Sequence, residues 1–255
     1  MVSRERAIRT RPNQVRLILF GLAAFGLAVA MLPLDLPIAQ LARSGKIPGD
    51  LKTIFRLAEA FSHGYGALLI LIGIVIINRL PKLDTFALIA CTFLPGLIVN
   101  AIKVTVARQR PGSFTDQLPD SVFETFAGWG GVWTGETEMA FNRAFQSFPS
   151  GHTATAVGLA VGLSLRFPRG AWYFSLLALL SAAQRIDSGA HFPSDTFAAA
   201  GIACWCGALI AGAWPRQTTI VTPARRAQSE PLSETDHDSD AATHSIKANK
   251  LRHSA

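Results

Sequence analysis

The apolar residues of this chain come in long unbroken blocks, and that constrains its fold more than anything else. They occupy residues 17–34, 61–78, 85–102, 151–167, 171–186 and 195–214, with no 3.6-residue stripe separating a dry face from a wet one. About 20 apolar residues in a helix match the thickness of a bilayer's hydrocarbon core. In that medium each backbone N–H and C=O must be satisfied within its own segment, so the blocks are expected to be helices. The fourth and fifth blocks are the shortest. Charged residues make up only 16% of the 255, against the roughly 25% of a soluble domain, and hydrophobic ones 49%. The expectation is an all-α, integral membrane six-helix bundle over residues 17–214. It has a basic N-terminal segment (1–16), a long loop between helices 3 and 4, and a polar tail (215–255).

The first block allows a second reading. Arg4, Arg6, Arg9, Arg11 and Arg16 precede it and Ala28-Val29-Ala30 lies within it, as in a cleavable signal peptide. The apolar run continues to Leu34, long enough to span, so an uncleaved helix is the better reading. The net charge of +7 does not form a nucleic-acid patch, because the basic residues lie between apolar blocks or in the terminal segments. Six spans put 15 of the 24 Lys and Arg on the side of the N-terminus and nine on the other; without the tail the tally is nine against nine. The five Arg before the first span carry the vote, placing both termini in the cytoplasm of a bacterial inner membrane.

Ionisable residues at the ends of apolar spans are costly and mark function. Three stretches concentrate them: 103–111, 149–152 and 185–195. With six spans all three fall on the extracytoplasmic face. Lys103, Arg110 and Arg185 are cations suited to an anion, arginine especially so because its planar fork donates paired hydrogen bonds to phosphate oxygens. Ser150 is a good helix N-cap and Gly151 admits close backbone approach, so the start of the fourth helix offers free N–H groups to the same anion. His191 and Asp195 stand four apart, allowing Asp195 to accept a hydrogen bond from one imidazole nitrogen and leave the other free to attack phosphorus. His152, from another segment, would protonate the departing alkoxide and later activate water. This scheme needs no metal and no cofactor.

The pattern Lys103-x6-Arg110-Pro111, Pro149-Ser150-Gly151-His152 and Arg185-x5-His191-x3-Asp195 resembles the type 2 phosphatidic acid phosphatases, which share a site with the vanadium haloperoxidases. The resemblance covers roughly residues 15–214. It implies a metal-free membrane phosphatase working through a phosphohistidine. His191 would be the nucleophile, His152 the acid and Asp195 the orienter, with Lys103, Arg110, Ser150, Gly151 and Arg185 holding phosphate. One position departs: the family usually has Ser before the arginine of the third motif, and Gln184 stands here. The substrate class implied is a lipid phosphomonoester or pyrophosphate of phosphatidic acid, phosphatidylglycerophosphate, undecaprenyl diphosphate or lipid A type. A vanadate-dependent haloperoxidase and a non-catalytic transporter or binding protein of the same fold are the alternatives. The expected partners are the lipid substrate and the membrane, with no nucleic acid; the sequence does not address oligomeric state.

The remaining residues read more plainly. His63, at the start of the second block, is expected to be structural or interfacial. Arg108 matches no motif position and reads as a solvated loop charge. Phe114, Phe123, Phe126, Trp129, Trp133, Phe141 and Phe145 in the loop 112–148 read as interfacial anchors, with a lid over the headgroup as the sharper alternative. Segment 35–59 mixes apolar and charged residues and is expected to lie flat on the membrane. Cys91, Cys204 and Cys206 suggest neither a disulfide framework nor a zinc site. His237, His244 and His253 lie in the tail, which is expected to be disordered, and read as solvated.

Overall fold

A computed structural model describes residues 12–129, 138 and 141–214. The expectations for residues 1–11, for Trp133 and its glycine neighbours, and for the tail from 215 lie outside the described residues. Seven α-helices account for most of the rest: α1 (Pro12–Arg43), α2 (Gly49–Ser62), α3 (Gly64–Asn78), α4 (Lys82–Lys103), α5 (Gly151–Arg166), α6 (Ala171–Asp187) and α7 (Pro193–Ala213). The expectation of an all-helical chain needs one correction. Strands β1 (Val106–Arg108) and β2 (Phe126–Trp129) pair antiparallel within the long connection between α4 and α5.

Helices α1, α4 and α7 are long and apolar enough to cross a membrane. The pair α2–α3, bent by 68° at His63, would make a fourth span if taken as one. Helices α5 and α6, at 16 and 17 residues, rise only about 24–26 Å at 1.5 Å per residue. Of the two, α5 is an inner helix, burying Thr153 to Ala156, Gly158 to Ala160, Gly162 and Leu163, whereas α6 buries Ala178, Ser181 and Gln184 and exposes Trp172 and Leu179. The outer helices turn large apolar side chains outward, among them Phe20, Ile77, Phe86, Leu97 and Leu209. An apolar exterior around a small-residue interior is the distribution expected where lipid is the solvent. The chain is an integral membrane protein.

Close helix approach is what the small residues supply. At Gly158 an added Cβ would lie 2.2 Å from the Cys91 carbonyl oxygen, so α4 and α5 touch backbone to backbone. The three cysteines are free and buried. At one end of the bundle Asp84 ties three helices together, accepting from Arg166 at 3.1 Å and from the Trp214 indole at 2.9 Å. The residues of the three motifs gather at the other end.

The segment 35–59 does not lie flat as a unit. Residues 35–43 continue α1 through Pro33 and Pro37, and Asp35 is fully buried. Only α2 has the expected amphipathic character, exposing Leu51, Ile54 and Leu57 while burying Ala58, Phe61 and Ser62. It docks on α6, where the buried Ser181 hydroxyl donates to the Ala58 carbonyl at 2.5 Å.

Candidate active site

Each of the three motifs arrives at a helix end. Lys103 closes α4 and is almost buried; Ser150 caps α5; Arg185 lies in the last turn of α6; and Asp195 sits in the first turn of α7. The Ser150 hydroxyl accepts the Thr153 N–H at 3.3 Å, satisfying one of the orphan donors of the helix start. Its own N–H donates to the Asp195 carbonyl at 3.2 Å, which locks the second motif to the third. A Cβ placed on Gly151 would meet Lys103 Nζ at 3.7 Å, so the ammonium stands over the start of α5. Positive charge and unpaired N–H groups thus share one small space, the arrangement that seats an anion.

Arg110 enters from the loop after β1. Its backbone N–H donates to the Ala144 carbonyl at 2.8 Å and its Nη2 to Gln146 at 3.4 Å. Its Nε is buried without a hydrogen-bond partner among the described residues. A buried donor left unpaired costs about 1–3 kcal/mol, and an anion would supply the missing acceptor. Burial, then the charges of Arg143 and Arg185, push the Arg110 guanidinium below its ordinary range. Cations crowded in this way gain from a bound anion.

His191 is almost completely buried, and its Nδ1 lies 2.6 Å from the Ser147 carbonyl. A carbonyl can only accept, so Nδ1 carries the proton and Nε2 keeps its lone pair. Burial first, then the charges of Lys103 and Arg110, hold the imidazole well below its usual 6.5, and it stays neutral. This corrects the expected contact between His191 and Asp195: the carboxylate is 3.9 Å from Nδ1 and does not bond it. Its lone pairs are taken by Arg108 Nη1 (2.5 Å), the Ser147 hydroxyl (2.6 Å) and the Phe192 N–H (2.8 Å). Asp195 therefore reaches the imidazole indirectly, by holding the residue whose carbonyl receives the Nδ1 proton.

Arg108 is a second correction. It is fully buried, ion-paired to Asp195 and to Asp35 at 2.7 Å, and bonded to Thr125 at 3.1 Å and Ser194 at 2.7 Å. Its guanidinium lies 4.5 Å from the ring centroid of Phe126 and 4.3 Å from that of Phe192. Phe126 is therefore part of this cradle and not an interfacial anchor, whereas Phe123 and Phe141 are exposed. Asp35 also accepts the Ser194 N–H at 2.9 Å and the Ser194 hydroxyl, binding α1 to the start of α7. The signal for Arg108 was faint but present, since it follows two apolar residues in a strand whose residues are all buried.

The arginine of the third motif has a partner that sequence reasoning did not find. Arg185 Nη2 donates to Glu59 on α2 at 2.6 Å and its Nε to the Gln184 side chain, and Gln184 Nε2 donates to Glu59 at 3.3 Å. One turn on from Glu59, the His63 ring lies 5.8 Å from that of His152, edge to face. His63 is exposed and borders the site rather than standing apart from it. Arg143, exposed on a 3-10 turn, adds a charge felt by both Lys103 and Arg110. Among the described residues no three His, Cys, Asp or Glu side chains cluster as metal ligands would.

The PAP2 superfamily model matches residues 84–219. A lipid A 1-phosphatase of Rhizobium johnstonii is 34% identical over 116 residues, 46% of this chain and 42% of that protein. One of Rhizobium etli is 33% identical over 121 residues, 48% of this chain and 46% of that protein. The match spans less than half the length of these curated relatives. Among solved structures, LpxE of Aquifex aeolicus aligns at 26% identity with a TM-score of 0.52, over 70% of this chain and 94% of that one.

Proposed function

Because the chain belongs to the PAP2 superfamily, we propose that it is a membrane phosphatase removing phosphate from a lipid. The observation that carries this reading is His191: a buried, neutral imidazole, its proton fixed on Nδ1 by a carbonyl, within electrostatic reach of Lys103, Arg110 and Arg185. In the proposed reaction His152 takes up a proton as the phosphate's negative charge offsets the cations around it; His191 Nε2 then attacks phosphorus, the bond to the lipid oxygen breaks, and His152 gives that oxygen the proton. Water then attacks the phosphohistidine, its proton passing to His152 as the P–N bond breaks and phosphate leaves. Lys103, Arg110, Arg185 and the N–H groups behind Ser150 and Gly151 stabilise the charge on the equatorial oxygens throughout.

Six spans, with the short helices α5 and α6 as the fourth and fifth and the site on the extracytoplasmic side of a bacterial inner membrane, complete the proposal. The lipid tail then stays in the bilayer while its phosphate reaches the rim. Within the lipid class, the two curated relatives favour a glycolipid phosphomonoester of the lipid A type over a glycerophospholipid or a prenyl diphosphate. Phosphate release from a panel of these lipids in detergent, with and without EDTA, tests the reading. Release that survives chelator and disappears in His191→Ala is expected. Full activity in His191→Ala would remove the nucleophile from the scheme.

A further inference from the structure

Arginine donates through two edges of its guanidinium, a side-on edge of Nε with Nη2 and an end-on edge of Nη1 with Nη2. In Arg185 the side-on edge is occupied, Nε by Gln184 and Nη2 by Glu59 at 2.6 Å. Gln184 and Glu59 are themselves joined at 3.3 Å, so the three side chains close a ring. The ring bridges two helices, since Glu59 belongs to α2 while Gln184 and Arg185 belong to α6. Buried packing fixes its base: the Ala58 carbonyl, one residue before Glu59, accepts the buried Ser181 hydroxyl of α6. Arg185 is 11% exposed and Glu59 35%, so the clamp stands at the edge of the site and not in bulk water.

We propose that Glu59 and Gln184 are positioning residues that hold Arg185 so that only its end-on edge faces the phosphate. The inference rests on the phosphate-binding reading of Arg185. It also accounts for the departure at Gln184. A serine there is too short to reach across Arg185 Nε to a glutamate on another helix, whereas glutamine meets both. The two residues act as a unit, and neither touches the substrate. A charge-assisted hydrogen bond fixes one rotamer of a long side chain that would otherwise have several. Without it the phosphate must order Arg185 at its own expense.

The test is a double-mutant cycle read by two assays: kcat/KM for release of phosphate from a lipid phosphate, and the dissociation constant of orthovanadate by calorimetry. The variants are Glu59→Ala, Glu59→Gln, Gln184→Ser, Arg185→Ala and the double Glu59→Ala/Arg185→Ala. Glu59→Ala should weaken vanadate binding and lower kcat/KM about 10-fold, while in the Arg185→Ala background the same change should cost less than about 2-fold. Glu59→Gln keeps the shape and an acceptor but not the charge, and should lose about 3-fold. A further double variant, Glu59→Ala/Gln184→Ser, should lose less than the product of its two single losses. Equal losses in both backgrounds would overturn the clamp, because a merely structural glutamate harms the fold whether or not Arg185 is present. Unaltered vanadate affinity in Glu59→Ala would overturn it too. A wild type that binds vanadate but releases no phosphate from any lipid would sink the proposed reaction and leave the cycle to decide the clamp. A wild type that binds no vanadate would refute both.

Discussion

Replacing Arg108 with methionine should be among the most damaging single changes in the chain, although Arg108 belongs to none of the three motif positions. Methionine fills a similar volume between the rings of Phe126 and Phe192, so little packing is lost. What is lost is the cation between two carboxylates. Asp35 and Asp195 are both fully buried, and among the described residues each keeps only uncharged donors once Arg108 is gone: Ser194 for the first, Ser147 and the Phe192 N–H for the second. Removing one partner of a buried ion pair costs about 3–5 kcal/mol, because the charge left behind is uncompensated. At about 2–4 °C per kcal/mol for a domain of this size, the midpoint of thermal unfolding should fall by roughly 6–20 °C. Tryptophan fluorescence of the detergent-solubilised protein would follow it. Adding Asp35→Asn to Arg108→Met should restore part of the loss, since it removes one of the two orphaned charges. A surface charge would behave differently, shifting stability by no more than about 0.5 kcal/mol. Arg108→Met melting within about 2 °C of the wild type would therefore refute the buried network.

Other outcomes follow from single contacts. Gly158→Ala would ordinarily gain helix propensity, yet here the new Cβ would meet the Cys91 carbonyl at 2.2 Å, so thermal unfolding should show a loss of about 1–3 kcal/mol; a gain would mean the helices are not in contact there. Arg143→Ala should raise KM several-fold at low salt, the difference shrinking as ionic strength approaches about 1 M; a salt-independent effect would rule out action through charge. The acid limb of kcat/KM belonging to the nucleophile should lie below pH 6.5, since burial and neighbouring cations oppose protonation of His191. Arg110→Gln removes one of those cations and stabilises the imidazolium, so the limb should move to higher pH. A limb that stays or moves down would contradict that account.

The bundle was legible because bilayer thickness leaves a mark on sequence. Each apolar block of the reading is helical, the second broken between α2 and α3 at His63, and the three motifs meet at one end because each reaches a helix terminus. What the blocks concealed was hierarchy. Apolar content cannot separate a helix facing lipid from one enclosed by other helices: α5 and α6 are alike in length, yet α5 is enclosed while α6 exposes Trp172 and Leu179. Block boundaries also hid the length of α1, since Asp35 and the prolines at 33 and 37 resemble an end. Helical geometry continues past them because the Asp35 charge has a partner.

The contacts missed in the sequence share one property: they join elements far apart in the chain through residues that look ordinary alone. Arg108 finds Asp35 73 residues away, and Arg185 finds Glu59 126 residues away. A motif records only the fixed spacing within one segment. Lys103, His152 and His191 keep such spacing because each is tied to its own helix end. Asp35 and Glu59 approach from α1 and α2, whose position depends on packing against α7 and α6, so nothing local to them signals the match. Charge balance offered the remaining clue. A site that gathers Lys103, Arg108, Arg110, Arg143 and Arg185 around a buried imidazole would repel itself in the empty state. The carboxylates of Asp35, Asp195 and Glu59 are where the fold places the counter-charge. Asp195 and Asp35 neutralise Arg108 completely and remove it from the substrate's view. Glu59 takes one edge of Arg185 and leaves the other without a partner among the described residues, and in the proposed reaction that asymmetry separates a structural cation from one kept available for phosphate.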